Sequence, residues 1–135
     1  MTDVVVSRRG ADRFGLAVAV VAAVFSLIAS LASAGDIPAA AVQEADGVWQ
    51  MRCTTCHGAG GTGDGAAAAA LTPKPRNFTL ADWQKSVTDE HIEKVIVEGG
   101  QAVGLSMMMT ANPDLASKPD VVKALRAHVR SLGAK

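Results

Sequence analysis

Two different hydrophobic patterns divide the chain. The first is an uncharged, mostly apolar run from Leu16 to Leu31, preceded by three arginines and followed by Ala32-Ser33-Ala34. A basic start, an apolar middle and a small-residue end are typical of a secretory signal peptide, so residues 1–34 are predicted to be one, cleaved after Ala34. The longer stretch from Phe14 to Ala34 is also just long enough to cross a bilayer, which leaves an uncleaved membrane anchor as the alternative.

From residue 35 onwards the apolar residues recur at helical spacing. A first helix is predicted over Ala39–Met51, whose shared apolar face consists of Val42, Ala45, Val48 and Trp49. A second is predicted to begin at a Thr88 cap, with acidic residues in its first turn, and to end at Gly99-Gly100. The region after residue 35 therefore resembles a folded domain rather than a targeting segment.

A closing helix is predicted near the C-terminus. Ser117 and Asp120 have the spacing of a capping box, and Pro119 is tolerated in a first turn. The predicted buried face consists of Val121, Val122, Leu125, Val129 and Leu132. No window shows the two-residue alternation of a half-buried strand, so the predicted fold class is all-α.

The segment between the first two predicted helices is irregular. Residues 58–65 read Gly-Ala-Gly-Gly-Thr-Gly-Asp-Gly, which predicts a loop able to approach a ligand closely. Ala66 to Leu71 is expected to form a short helical piece, and Thr72 to Pro75 an extended one because each proline restricts the backbone. This layout places loops, rather than regular elements, around the middle of the domain.

The net charge of the chain limits the classes of molecule that it is expected to bind. The 135-residue chain has a formal net charge of zero at pH 7, and removing residues 1–34 leaves it nearly balanced. A nucleic-acid partner would require a basic surface that neutralises phosphates, so no nucleic acid is expected.

The strongest chemical signal is the run Cys53-Thr54-Thr55-Cys56-His57. Cys-x-x-Cys-His is the attachment pattern for c-type haem, since two thiols one helical turn apart can each form a thioether and the adjacent imidazole can bind iron. The competing interpretations are a thioredoxin-like redox pair, half of a zinc site and a small disulfide. The first lacks a βαβ context, the second lacks further paired ligands, and the third would close a tiny loop.

Three consecutive methionines, Met107, Met108 and Met109, supply candidates for an iron ligand on the other face of a haem. A thioether sulfur favours ferrous over ferric iron and raises the reduction potential relative to two imidazoles. Flexible core filling is the commonest alternative role of methionine. Their position in a Gly- and Pro-flanked loop favours the ligand role.

Together these features resemble the class I cytochromes c, in particular the bacterial single-haem type. The resemblance covers Ala39 to Leu132 and rests on the helix before Cys-x-x-Cys-His, the Gly-rich stretch, the Leu-x-Pro-x-Pro-x-x-Phe pattern of Leu71 to Phe78, and Gly99 to Ser106. It implies a small domain over residues 35–135, with three main helices and loops wrapped around one covalently bound haem c.

The resemblance also implies roles for individual residues. His57 would be the proximal iron ligand and Met109, three residues after Ser106, the distal one, although Thr110 stands where the family commonly has proline and Met107 and Met108 remain alternatives. The second ring nitrogen of His57 would donate to the carbonyl of Pro73, with Pro75 the next candidate. Arg76 and Trp83 are also expected to contact the haem propionates. His128 is expected to be a packing residue and His91 a solvated one.

The function expected from these residues is transfer of single electrons in the periplasm, without enzymatic activity, because protein ligands on both faces of the iron leave no open position. The expected partners are a redox protein donor and acceptor that meet an exposed haem edge, with no small-molecule substrate and no membrane contact unless the leader is uncleaved. The alternatives are a haem c subunit of a periplasmic oxidoreductase complex and a gas-binding sensor without a methionine ligand.

Overall fold

The computed structural model describes residues 36–134, and no β-strand occurs among them. The predicted all-α class is confirmed. Short 3₁₀ helices lie at Ala68–Ala70, Gln101–Val103 and Pro113–Ser117. In chain order the other elements are α1 (Ala39–Val48), a π-helical turn (Trp49–Cys53), α2 (Thr54–His57), α3 (Ala81–Ser86), α4 (Asp89–Glu98) and α5 (Pro119–Leu132).

The predicted signal peptide, residues 1–34, lies outside the described residues. Within 36–134, none of the helices has the length and apolar character needed to span a bilayer.

The core forms where α5 packs against α1 and α4. All five residues predicted for the buried face of α5 are buried, and Leu125 is 2 % exposed. Opposite α5, the core consists of Ala41, Ala45 and Val48 from α1 and of Trp49 from the π-helical turn. Val42, which was predicted to share this face, is 43 % exposed because the stripe that packs inward runs through Ala41 instead.

The start of α4 follows its sequence signal. The backbone N–H of His91 donates to the Thr88 hydroxyl at 3.2 Å, and Asp89 and Glu90 occupy the first turn, where carboxylates stabilise the positive end of the helix. The helix ends at Gly99, whose φ of +81° favours a residue without a Cβ atom. Both predicted ends of this helix are therefore confirmed.

The start of α5 differs from its sequence signal. The predicted capping box is not formed, since the N-cap residue is Lys118 and no side chain caps the helix. The hydroxyl of Ser117 instead donates to the Asp114 carbonyl at 3.2 Å, because Pro113–Ser117 forms its own 3₁₀ helix immediately before α5. Pro119 occupies the first turn, as predicted.

Polar side chains hold α3, a helix that the sequence did not predict. The amide nitrogen of Gln84 donates to the carbonyls of Phe78 and Val129 at 2.7 and 2.9 Å, so it satisfies a carbonyl in the last turns of α5. Arg130 on α5 donates to the Gln84 carbonyl at 2.6 Å and to the Val87 carbonyl at 2.8 Å. These bonds fix the chain between Phe78 and α4 on the outside of α5.

Candidate functional site

The Cys-x-x-Cys-His motif continues the first helix instead of following it. The predicted end at Met51 is too early, because the chain passes through the π-helical turn Trp49–Cys53 directly into α2. A π turn holds more residues than an α turn, so the residues after it face a different direction from those of an uninterrupted α-helix. The Thr54 hydroxyl donates to the Gln50 carbonyl at 2.8 Å and braces this junction.

The two thiols of the motif are half-buried and free. Burial raises the pKa of the Cys53 thiol to about 11, and its Sγ lies 3.9 Å from the Val48 carbonyl oxygen. A thiol with a raised pKa is rarely ionised at neutral pH and is a poor attacking group in thiol–disulfide exchange. This environment disfavours the thioredoxin-like alternative.

His57 is the buried polar residue of the site, with 8 % of its surface exposed. Its Nδ1 lies 3.2 Å from the Arg76 carbonyl oxygen, and because a carbonyl only accepts, Nδ1 carries the proton and Nε2 keeps its lone pair. Burial lowers the pKa of His57, while the hydrogen bond to Arg76 opposes this. The neutral ring with a free Nε2 lone pair is the form that binds a metal.

The acceptor for His57 corrects the sequence prediction. Pro73 was the predicted acceptor and Pro75 the next candidate, but the structure uses the carbonyl of Arg76. The Pro75 carbonyl faces the Gly-rich loop instead, since a Cβ atom added at Gly63 would lie 2.5 Å from its oxygen. The acceptor is a backbone group, so the side chains of the pattern carry no direct signal for which of these neighbouring carbonyls reaches the ring.

The Gly-rich loop closes against the end of α2. The N–H groups of Gly63 and Gly65 donate to the carbonyls of His57 and Cys56 at 2.9 and 3.1 Å, and Ala67 donates to Thr55 at 2.9 Å. These bonds satisfy the last carbonyls of the helix, which have no partner within it. At Gly65 a Cβ atom would overlap the carbonyl oxygens of Thr54 and Thr55, so the loop needs glycine there to approach α2.

One face of His57 is covered by Phe78, which belongs to a cluster of aromatic rings in the core. Phe78 stacks on the imidazole with the ring centroids 4.5 Å apart, and its backbone N–H donates to the Gly61 carbonyl at 2.7 Å. Trp83 packs against Phe78 at 5.0 Å. His128 lies 4.4 Å from the ring of Trp49, which agrees with the packing role expected for it. The imidazole is thus held by a hydrogen bond on one atom and by a ring on one face.

The three methionines differ in exposure. Met107 and Met108 are 68 % and 56 % exposed, whereas Met109 is half-buried. The backbone of Met109 is also held at both polar atoms, because its carbonyl accepts from Gly100 at 2.8 Å and its N–H donates to Ser106 at 3.1 Å. Burial and backbone anchoring both favour Met109 as the ligand, and its ligation of iron stays a prediction.

The remaining candidates are Arg76, Trp83 and His91. Arg76 is exposed and Trp83 is half-buried against the core, and their propionate contacts stay predictions. The N–H of His91 is used in the α4 cap, and its side chain is only partly covered.

The donor set fits a covalently attached haem. Two half-buried thiols separated by two residues, an imidazole oriented through Nδ1 and a soft thioether from a separate loop are the groups that such a cofactor needs. Among residues 36–134, no three His, Cys, Asp or Glu side chains cluster as ligands for a bare metal ion.

The Cytochrome c family model matches residues 42–133, which is more than half of the chain and includes the motif, the Gly-rich loop, the methionines and α5. A search of the curated proteins finds no significant match.

The close approach of the Gly-rich loop to α2 predicts a position-specific cost. Gly65→Ala should lower the free energy of unfolding of the purified, cofactor-loaded protein by about 1–3 kcal/mol, because the new methyl group overlaps two backbone oxygens that cannot move alone. Guanidinium denaturation followed by tryptophan fluorescence measures this change.

Gly60→Ala is the matched control in the same loop, since a Cβ atom there has no neighbour within 4 Å. It should change the free energy of unfolding by no more than about 0.5 kcal/mol. Equal effects of the two substitutions would contradict the packing described for Gly65.

Proposed function

Because the chain belongs to the cytochrome c family, we propose that it is a periplasmic single-haem electron carrier in which Cys53 and Cys56 attach the haem and His57 and Met109 ligate its iron. The covalent haem c and the electron-carrier role follow from the family. The compartment, the ligand residues and the partners are the parts proposed for this chain.

The observation that carries the proposal is the orientation of His57. Its ring is buried, it follows Cys56 directly in the chain, and the hydrogen bond from Nδ1 to the Arg76 carbonyl leaves the Nε2 lone pair free for a metal. Such a second bond fixes the tautomer and the ring plane of a metal-ligating histidine and increases its electron donation. A histidine that only filled the core would not need to stand directly after Cys56.

When bound, haem supplies an iron atom that changes between the ferric and ferrous states by one electron. The hydrogen bond from Nδ1 to Arg76 and the stacking of Phe78 on one ring face would keep His57 in place during that change. Met109 would supply a soft sulfur, which favours the ferrous state and raises the reduction potential. If His57 and Met109 both ligated the iron, no ligand position would remain for a substrate, which supports a carrier rather than an enzyme.

Export is supported by the pattern of residues 1–34, a basic segment followed by an apolar segment and Ala-Ser-Ala. A cleaved leader would release the domain into the periplasm, and an uncleaved one would anchor it to the membrane facing that compartment.

Redox proteins that donate and accept electrons are the partners that fit this site. They would meet an exposed haem edge through a small, transient interface, as electron-transfer partners commonly do. The near balance of charge in the domain does not favour strong steering by one sign of charge. A stable hetero-complex on size exclusion of the native protein would instead favour a haem c subunit of a periplasmic oxidoreductase.

Covalent attachment is tested by removing the thiols. After expression with working haem-ligation machinery, the wild-type protein should keep its colour when extracted with acidified organic solvent, because two thioether bonds hold the pigment. The double variant Cys53→Ala, Cys56→Ala should lose it. A colourless wild-type protein, or extraction of its pigment, would contradict the proposal.

The distal ligand is tested by single substitutions in the methionine run. Ferric haem bound by a methionine sulfur has a weak absorption band at long wavelength, and Met109→Ala should abolish it. The reduced Met109→Ala protein should also bind carbon monoxide readily at neutral pH, because an axial position opens.

Met107→Ala and Met108→Ala are the controls, since both side chains are mostly exposed. They should keep the long-wavelength band and resist carbon monoxide. If the band disappears in Met107→Ala or Met108→Ala and is retained in Met109→Ala, the iron ligand is the methionine whose replacement removed the band.

A further inference from the structure

Arg52 joins two parts of the chain that lie far apart in sequence. It stands directly before Cys53 in the π-helical turn, and its Nη1 lies 3.0 and 3.1 Å from the two carboxylate oxygens of Asp114. The same nitrogen lies 3.3 Å from the side-chain oxygen of Asn112. A single guanidinium therefore contacts two side chains of the segment that follows Met109.

Asn112 is itself fixed to the end of α4. Its backbone N–H donates to the Val97 carbonyl at 3.0 Å, and its side-chain nitrogen donates to the Ile96 carbonyl at 2.8 Å. The side-chain oxygen is left to accept from Arg52. Asn112 thus connects the C-terminal end of α4 on one side with the π-helical turn on the other.

The backbone between Gly99 and Asn112 is packed closely at Met109. A Cβ atom at Gly99 would lie 2.9 Å from the Met109 carbonyl oxygen and from the Ala111 nitrogen. Together with the Gly100 to Met109 hydrogen bond, this leaves the methionine segment little freedom while Asn112 stays in place. Releasing Asn112 would loosen the segment three residues after the proposed ligand.

We infer that Arg52 is a positioning residue for the distal ligand, which holds the Met109 segment against the haem-attachment turn through Asp114 and Asn112. This inference rests on the proposed function. Arg52 would act through Asp114 and Asn112, by resisting the movement of the loop that would withdraw the methionine sulfur.

The charge state of the contact suits this role. The hydrogen bond from Arg52 holds the pKa of Asp114 below its usual range, so the carboxylate is ionised at neutral pH. The two side chains are 41 % and 50 % exposed. Ion pairs of this exposure add little to global stability, so the expected effect is a local one, on opening of the loop.

Exogenous imidazole tests the inference, because it binds ferric haem only when the methionine has left. In the haem-loaded protein, imidazole affinity is measured by the loss of the long-wavelength band. Arg52→Gln and Asp114→Asn should each bind imidazole roughly two- to fivefold more tightly than the wild type, and Arg52→Lys should partly restore the wild-type value. The double variant Arg52→Gln, Asp114→Asn should add little to either single change.

Asp120→Asn is the matched control. Asp120 forms an equally exposed ion pair with Lys123, at 3.3 Å, which joins two residues one turn apart within α5. It should leave the imidazole affinity unchanged. Wild-type affinity in Arg52→Gln, or an equal increase in Asp120→Asn, would overturn the inference.

The same titration separates this inference from the proposed function. If the wild-type protein lacks the methionine band, the proposed distal ligand is wrong and Arg52 has no ligand to position. If the band is present and disappears only in Met109→Ala, the proposed function stands whatever the Arg52 variants show.

Discussion

The hydrogen bond from Nδ1 of His57 to the Arg76 carbonyl is the constraint around which the site is organised. It orients a buried imidazole that would otherwise rotate, and it leaves one nitrogen for a metal. The Arg76 carbonyl reaches the ring where the chain after the Gly-rich loop returns to α2, and glycine at position 65 lets that loop approach α2 closely. Phe78 completes the arrangement by stacking on the ring.

The sequence predicted those features that depend on side-chain type and spacing. The buried stripe of α5, the Thr88 cap and the end of α4 at Gly99 all followed from residues with strong local preferences. The attachment motif was equally clear, because Cys-x-x-Cys-His has few competing uses once its surroundings are considered. These signals are local, so a single sequence suffices to read them.

Features that depend on backbone path were not predicted correctly. The Arg76 carbonyl replaced that of Pro73, and the π-helical turn carried the first helix past Met51. The capping box at Ser117 failed because a preceding 3₁₀ helix took its place. In each case a backbone group or a neighbouring turn decided the outcome, and no residue type in the pattern reports it.

Long-range polar contacts could not be predicted from the sequence either. The bonds from Arg52 to Asp114 and from Gln84 to Val129 join residues about half the domain apart, and each participant is unremarkable within its own segment. They matter because they fix two segments, the one after Met109 and the one around α3, that lack an apolar stripe of their own.

Nitrogen NMR of the haem-loaded, reduced protein with labelled histidines tests the central claim most directly. The chain contains three histidines, and the account predicts that His57 keeps a proton on Nδ1, has its Nε2 bound to iron and does not titrate between about pH 5 and 8. If His57 titrates in that range, or carries its proton on Nε2, the imidazole does not ligate the iron through Nε2 and the account is contradicted.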